Sequence, residues 1–428
     1  MTIQQGRPAN TDACPPRLFL AAIALAGGLS QAVIAAEVTD TALLSFSAFG
    51  TLGMVHSSEE RADFTNNSFK ASGAGYTDAW SPNVDSILGA QVVLSVTPRL
   101  SATLQVVSEQ LYDKTYTPHV EWANIKYQFT PDFSLRVGRT LLPNFLFSDS
   151  RKVGYSNPWV RPPVEAYNLV PVTSSDGVDA TYRMQFGRFS HTLFALYGNF
   201  TNTMPAHLGG GDADAENLWL LSDTIEYGAL TLRVVMQQST SDIQSLNPLF
   251  DALRLFGPQG TALADKYEVS GSSIRFVGVG AMYDPGKWFA IGEWSNTEFH
   301  SAVGNRTAWY VSGGYRINKF TPYATFSEAT SHSPTSDPGL NLSLLPPSLA
   351  PTAAGLNYAL NAILVSLPLQ RTVSVGARWD VFRSASLKLQ YDHIDLGAGS
   401  AGTLINVQPD FQRGGNVNVV SIAVDFVL

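Results

Sequence analysis

The feature that most constrains this chain is an alternation with a period of two, in which one parity is apolar and the other carries full charges. Over Gln370–Phe382, Val373, Val375, Ala377, Trp379 and Val381 alternate with Thr372, Ser374, Gly376, Arg378 and Asp380. Ala385–Ile394 sets Leu387, Leu389 and Tyr391 against Lys388, Gln390 and Asp392, and Gly177–Phe186 and Leu230–Gln237 follow the same rule. A period of two is that of an extended strand with one greasy face. Beyond residue 36 no run approaches the ~20 apolar residues that a helical span needs. Helical spacing is confined to Thr352–Leu367 and Ile243–Phe256, which predict short amphipathic loop helices.

A soluble sandwich also alternates, so the spacing of the segments has to decide. About sixteen candidates begin near Leu44, Ser86, Leu100, Val120, Asp132, Gly177, Phe189, Asn217, Ala229, Ile274, Lys287, Ala308, Phe320, Gln370, Ala385 and Asn416. Most are ~10 residues long, the length of a tilted membrane strand. Tight turns such as Thr97-Pro98-Arg99, Thr130-Pro131, Gly187-Arg188, Asp284-Pro285-Gly286 and Asn318-Lys319 join alternate pairs. Long polar loops join the rest: 57–85, 111–119, 140–176, 200–216, 240–272, 298–306, 329–369 and 395–415. Short turns at one end and long loops at the other mark an outer-membrane barrel, with the turns periplasmic and the loops extracellular.

Phe129, Phe133, Phe186, Phe189, Tyr227, Tyr283, Trp288, Tyr315 and Trp379 stand on the apolar parity beside the turns, where an interfacial belt would lie. The final Val420, Ile422, Val424, Phe426 and Leu428 share one face, and pairing with Leu44–Met54 would close the sheet. The expected fold is therefore all-β: a transmembrane antiparallel barrel of about sixteen strands.

Composition fits. Only 14% of residues are charged, which is low for a water-exposed surface. The net charge of −8 disfavours nucleic acid, and one Cys excludes a disulfide scaffold. Arg7 and Arg17, the run Leu18–Ala26 and small residues up to Ala36 have the order of a cleaved secretory signal over 1–36, with a membrane-anchoring helix as the alternative. Its removal takes Arg7, Arg17, Asp12 and Cys14 and leaves a barrel domain, 37–428, with a net charge of −9.

Phe46-Ser47-Ala48-Phe49-Gly50-Thr51-Leu52, Asp85-Ser86-Ile87-Leu88-Gly89, Leu135-Arg136-Val137-Gly138-Arg139 before a long loop, Ser374–Asp380 and the terminal Val424–Leu428 follow one another in order. In this the chain resembles the Gram-negative general porins, sixteen-stranded and trimeric. It departs from them in ending on Leu428 rather than Phe and in lacking an acidic Pro-Glu-Phe-Gly sequence in its third loop. The resemblance implies a homotrimer in outer-membrane lipid, with a third loop, 140–176, that folds into the lumen and constricts it. It implies passive diffusion of small hydrophilic solutes and ions, with no reaction and no cofactor or metal.

On that reading Asp149, Arg151, Lys152, Arg161 and Glu165 belong to the constriction loop, preceded by Arg139. Arg136, Arg183, Arg233, Arg378 and Lys388 belong to the facing wall, with Lys126 and Arg316 on the same parity. Clustered guanidinium and ammonium groups in a narrow aqueous passage favour anions, so a mild anion or carboxylate preference is expected. Each Arg could equally be a wall residue paired with a lumenal acid such as Asp179 or Asp392. Asp212-Ala213-Asp214-Ala215-Glu216 reads as a solvated loop before a cation site, and Gly397–Gly402 opens no helix. The competing functions are a substrate-selective channel, a lipid hydrolase built on His191 or His393, and a surface adhesin. The hydrolase would need a Ser beside its His on the lipid side.

Overall fold

The computed structural model describes residues 43–428; the leader assigned to 1–36 lies outside the described residues. Sixteen strands form the barrel among them: β1 (Leu43–Ser57), β2 (Ile87–Ser95), β3 (Leu100–Glu109), β4 (His119–Gln128), β5 (Phe133–Leu141), β6 (Ser174–Phe186), β7 (Phe189–Thr203) and β8 (Asp212–Tyr227). They continue with β9 (Leu230–Ile243), β10 (Ser272–Tyr283), β11 (Trp288–Phe299), β12 (Arg306–Tyr315), β13 (Phe320–Ser331), β14 (Gln370–Phe382), β15 (Ala385–Leu396) and β16 (Gly415–Val427). Each pairs antiparallel with its neighbours in sequence, and β16 returns to β1 with Leu52 opposite Val424 and Gly50 opposite Phe426. Closure satisfies every ladder, as an apolar surrounding requires.

Burial is inverted relative to a soluble sheet. On β14, Thr372, Ser374 and Arg378 are buried while Val373, Val375 and Trp379 are 47–48% exposed. On β15, Ser386, Lys388, Gln390 and Asp392 are buried and Leu389 is 54% exposed. Water does not tolerate a continuous apolar band of this kind, but acyl chains do. Phe129, Phe186, Phe189, Tyr227, Tyr283, Trp288, Tyr315 and Trp379 are exposed on that outer face beside the short turns, as a membrane-interface belt would be. A Val375→Arg exchange in the middle of β14 is accordingly expected to cost about 2–4 kcal/mol. A lowered urea midpoint in lipid vesicles would show it.

The loops depart from expectation in three places. β7 and β8 run on past a bulge at Gly198/Phe200 and another at Glu216/Trp219, so 200–216 shrinks to a short connection, and the acids of 212–216 lie on a strand. There Asp212 accepts from Thr203 (2.8 Å) and Asp214 from Thr201 (2.6 Å). The extracellular segment expected to hold one helix near 243–256 holds two. They follow a one-turn α1 (Val164–Tyr167), which lies in the third loop and was not expected; the pair is α2 (Asn247–Arg254) and α3 (Gly257–Tyr267). The helix expected at 352–367 forms as α4 (Ala350–Leu364), started by Pro351 in its first turn, where a missing N–H costs nothing. Helices α2, α3 and α4 pack on one another through Phe250, Leu253, Leu263, Leu360 and Leu364 over the long-loop end of the barrel.

Candidate functional site in the lumen

The lumen is occupied chiefly by one connection, the segment 142–173 between β5 and β6. Its Leu142, Phe145, Leu146, Phe147, Trp159, Tyr167 and Leu169 share a single apolar cluster with inward-facing wall residues, among them Leu218, Leu220, Val235, Phe276, Ile291 and Tyr310. Phe145 stacks on Tyr167 with ring centroids 4.4 Å apart, and Trp159 meets Tyr310 edge-on at 5.8 Å. Burial of apolar area on this scale fixes the segment as firmly as a domain core. Every inward residue from Phe289 to Phe299 and from Ser386 to Leu396 is buried. Rather than being bathed by a water column, the wall of β10–β16 is packed against protein.

The charged groups read from the sequence are the polar stitches of this packing. Lys152 donates to Glu109 (2.6 Å) and Glu121 (2.8 Å), while Thr173 donates to the other oxygen of Glu121. Burial works against the Lys152 charge, but the two glutamates outweigh it and hold its pKa above the ordinary lysine value. Arg151 donates to the Val170 carbonyl (3.0 Å) beneath the Tyr167 ring, and burial lowers it to about 10. Arg161 binds both oxygens of Asp85 (2.8 and 2.5 Å), Asp392 (3.2 Å) and Ser421 (2.6 Å). The Glu165 carboxylate, on α1, accepts from Ser327 (2.7 Å), Gln370 (2.5 Å) and Thr372.

From the wall, Arg378 donates to the carbonyls of Tyr155 and Asn157 (2.5 and 3.0 Å). Lys388 reaches the carbonyls of Gly154 and Trp159 (both 2.7 Å) and pairs with Asp425 (2.9 Å), fully buried. Gly154 lies so close to the wall that a Cβ there would strike the Asp425 carboxylate and the Thr51 hydroxyl. The segment thus touches β1–β4 on one side and β9–β16 on the other.

These contacts correct the sequence reading of several residues. Lys152, Arg161, Glu165, Arg378 and Lys388 tie loop to wall, the cations donating to carbonyls and carboxylates and Glu165 accepting from Ser327, Gln370 and Thr372, while Arg151 is spent on Val170 within the segment. Arg139 is not lumenal at all. It shares the outer face with Val137 and pairs with Asp176 (2.6 Å) beside exposed Val178, since its odd number sets it on the parity opposite Arg136. Arg316 lies just beyond the end of β12, where it pairs with Asp284 of the neighbouring turn (2.7 Å).

What stays open is a recess along the short-turn half of β4–β9. Lys126, Gln128, Arg136, Arg183, Gln185, Thr192, Thr224 and Glu226 keep partial or full exposure on the inward parity. Lys126 stands directly across from Arg136, and Arg136 is held by Asp179 (2.9 and 3.1 Å). Pairing in register continues Arg183, Thr192, Thr224 and Arg233 in one row across β6–β9. Arg233 ends that row beneath the segment, donating to the Pro143 carbonyl (2.8 Å). Asp149, from the segment, is half-buried and feels the charge of Arg233. The recess therefore gathers four cations, Lys126, Arg136, Arg183 and Arg233, against two carboxylates of its own wall, Asp179 and Glu226, and the balance is electropositive.

By sequence the chain matches no known family and no curated protein. By structure it is similar to OmpF of Salmonella typhi in complex with daunomycin, at TM-score 0.53 and 9% identity over 91% of this chain and 98% of that one. It is similar also to DcaP, an outer membrane channel of Acinetobacter baumannii, at TM-score 0.52 and 10% identity over 92% and 100%. In-vitro folded OmpT, an outer membrane protein of Vibrio cholerae, aligns at TM-score 0.50 and 13% identity over 92% and 100%. Identities this low establish the shared fold: a closed sixteen-strand barrel of the outer-membrane porin type.

Proposed function

We propose that this protein is an outer-membrane channel of the porin type for small hydrophilic solutes, with a preference for anions and carboxylates, and that segment 142–173 is its constriction. The supporting observation is the barrel itself: an apolar band outside, and inside it an electropositive recess that leads to one lumenal segment. No chemistry is needed for this role. The described hydrogen bonds give His191 to Asp223 (2.9 Å) and His393 to Asn418 (2.8 Å), which supplies neither ring with the serine a lipid hydrolase requires. The homotrimer is carried over from the family resemblance, and chemical cross-linking in native membranes tests it.

Recording from refolded protein in planar bilayers, with solutes of graded size, tests the channel. Across a salt gradient the zero-current potential is expected to carry the sign of anion selectivity, and an Arg136→Gln/Arg183→Gln double variant to move it toward zero. A cation-selective wild type would refute the preference.

The packed lumen favours a second reading, a surface adhesin. Residues 338–370 carry no charge, and Leu344 and Tyr358 on them are 74% and 79% exposed at the extracellular end. The two readings separate on one result: a channel conducts with segment 142–173 in place and an adhesin scaffold does not, since either barrel would conduct once that segment is removed.

A further inference from the structure

Resting on the channel reading, we infer that the recess holds a subsite for aromatic carboxylates, in which Lys126 and Arg136 take the carboxylate and Phe194 takes the ring.

The donors are in place without acceptors. Arg136 meets Asp179 through its Nε alone, at 2.9 and 3.1 Å, which leaves both of its terminal nitrogens with no acceptor among the described residues. Lys126 stands directly across from Arg136 on β4, and its ammonium has no acceptor among them either. Like charges directly opposite on neighbouring strands repel, and this pair also lies in the field of Arg183. An anion between them turns that repulsion into attraction. A carboxylate suits the place, because a guanidinium offers it two parallel N–H groups. The two wall acids leave the place open: Asp179 is spent on Arg136, and Glu226 lies beyond Thr224 at the turn end of β8.

Beside these donors the recess presents an aromatic surface. Phe194 of β7 is on the inward parity, between Thr192 and buried Leu196, while Leu193 and Tyr197 are exposed on the outer face. It is only half-buried, at the edge of the apolar cluster of the lumen, so the uncovered part of its ring is turned to the recess. The Arg136 guanidinium lies 5.9 Å from the ring centroid. In register, Phe194 is opposite Thr181 on one side and Ser222 on the other, one inward step from the row of Arg183, Thr192, Thr224 and Arg233. A carboxylate held at Lys126 and Arg136 therefore brings a directly attached ring against Phe194, and an aromatic pair adds to the charge contact. Acetate makes only the charge contact, and a neutral aromatic only the ring contact.

The test is block of the potassium chloride current through the full-length protein refolded in planar bilayers at neutral pH, with benzoate, acetate or benzyl alcohol as the probe. In the wild type the half-blocking concentration of benzoate is expected to lie about tenfold below that of acetate. Benzyl alcohol is expected not to block in the benzoate range. Lys126→Gln, which breaks no ion pair, is expected to raise the benzoate value about tenfold, the effect of losing one charged hydrogen bond. Phe194→Leu keeps the apolar volume without the aromatic face, and is expected to narrow the gap between benzoate and acetate by about two- to tenfold. Equal values for benzoate and acetate in the wild type, a gap that Phe194→Leu leaves unchanged, or a benzoate block that Lys126→Gln leaves unchanged overturns the subsite while the channel stands. Block by benzyl alcohol at the benzoate concentration overturns the carboxylate end of it. A wild type that conducts no ions with segment 142–173 in place overturns the channel reading, and the subsite with it.

Discussion

Replacing residues 144–171 by a short Gly/Ser bridge is expected to turn a protein of small conductance into a wide pore, with a gain of about tenfold or more. A sixteen-stranded barrel is wide enough to leave an aqueous channel when nothing fills it. Here the filling is the cluster of Phe145, Phe147, Trp159 and Tyr167 against Phe276 and Tyr310. The barrel is not expected to collapse when it goes, because strand pairing from β1 to β16 does not run through the segment. Retained heat-modifiable migration on gels would show the variant folded. Single-channel conductance and the size of the largest permeant sugar would then be compared with the wild type. A folded variant with unchanged conductance would mean that something other than this segment sets the passage.

The largest effect of a single exchange is expected at Arg161. Its guanidinium, 5% exposed, binds Asp85, Asp392 and Ser421 at once, from the loop before β2 and from β15 and β16. Arg161→Leu leaves two carboxylates in a dry environment without the cation bound to them, and breaking a buried pair in this way costs about 3–5 kcal/mol. Unfolding by urea in detergent micelles measures it. Adding Asp85→Asn and Asp392→Asn removes the stranded charges, and the triple variant is expected to regain a large part of the loss. Equal stability of Arg161→Leu and wild type would show that the guanidinium is not the tie between segment and wall.

The barrel was legible because lipid imposes a rule that the sequence cannot hide. Val373, Val375 and Trp379 must face out, so Arg378 and Lys388 face in, and the period of two follows on strand after strand. The turns were legible through Gly187 and Asn318, which take left-handed backbone at φ 59° and 56°.

The state of the lumen was not read, although a signal for it was present. On β10, and at the start of β11, the inward parity is itself apolar, with Phe276, Met282, Phe289 and Ile291 opposite outer residues such as Val277, Val279 and Trp288. A strand greasy on both faces is buried on both, and the segment 142–173 supplies the matching Leu, Phe and Trp. Attention to its charges alone made Arg161 and Glu165 look like pore-lining groups. Their partners are Asp85 and Asp392 for Arg161, and Ser327 and Gln370 for Glu165. These come together only through the closure of the barrel, and no local spacing reveals them. Arg139 was misplaced for a simpler reason: three residues from Arg136, it cannot share that residue's face.

The central claim is that the outer parity is solvated by acyl chains. Cys14 is the only cysteine in the sequence, so single cysteines placed along β14 can carry nitroxide labels in a Cys14→Ser background reconstituted in vesicles. Collision with lipid-soluble oxygen and with a water-soluble nickel chelate would then be compared site by site. Labels at 373, 375 and 379 are predicted to meet oxygen freely and the chelate scarcely, while those at 372 and 374 are shielded from both. Ready access of the chelate to 373, 375 and 379 would contradict the account.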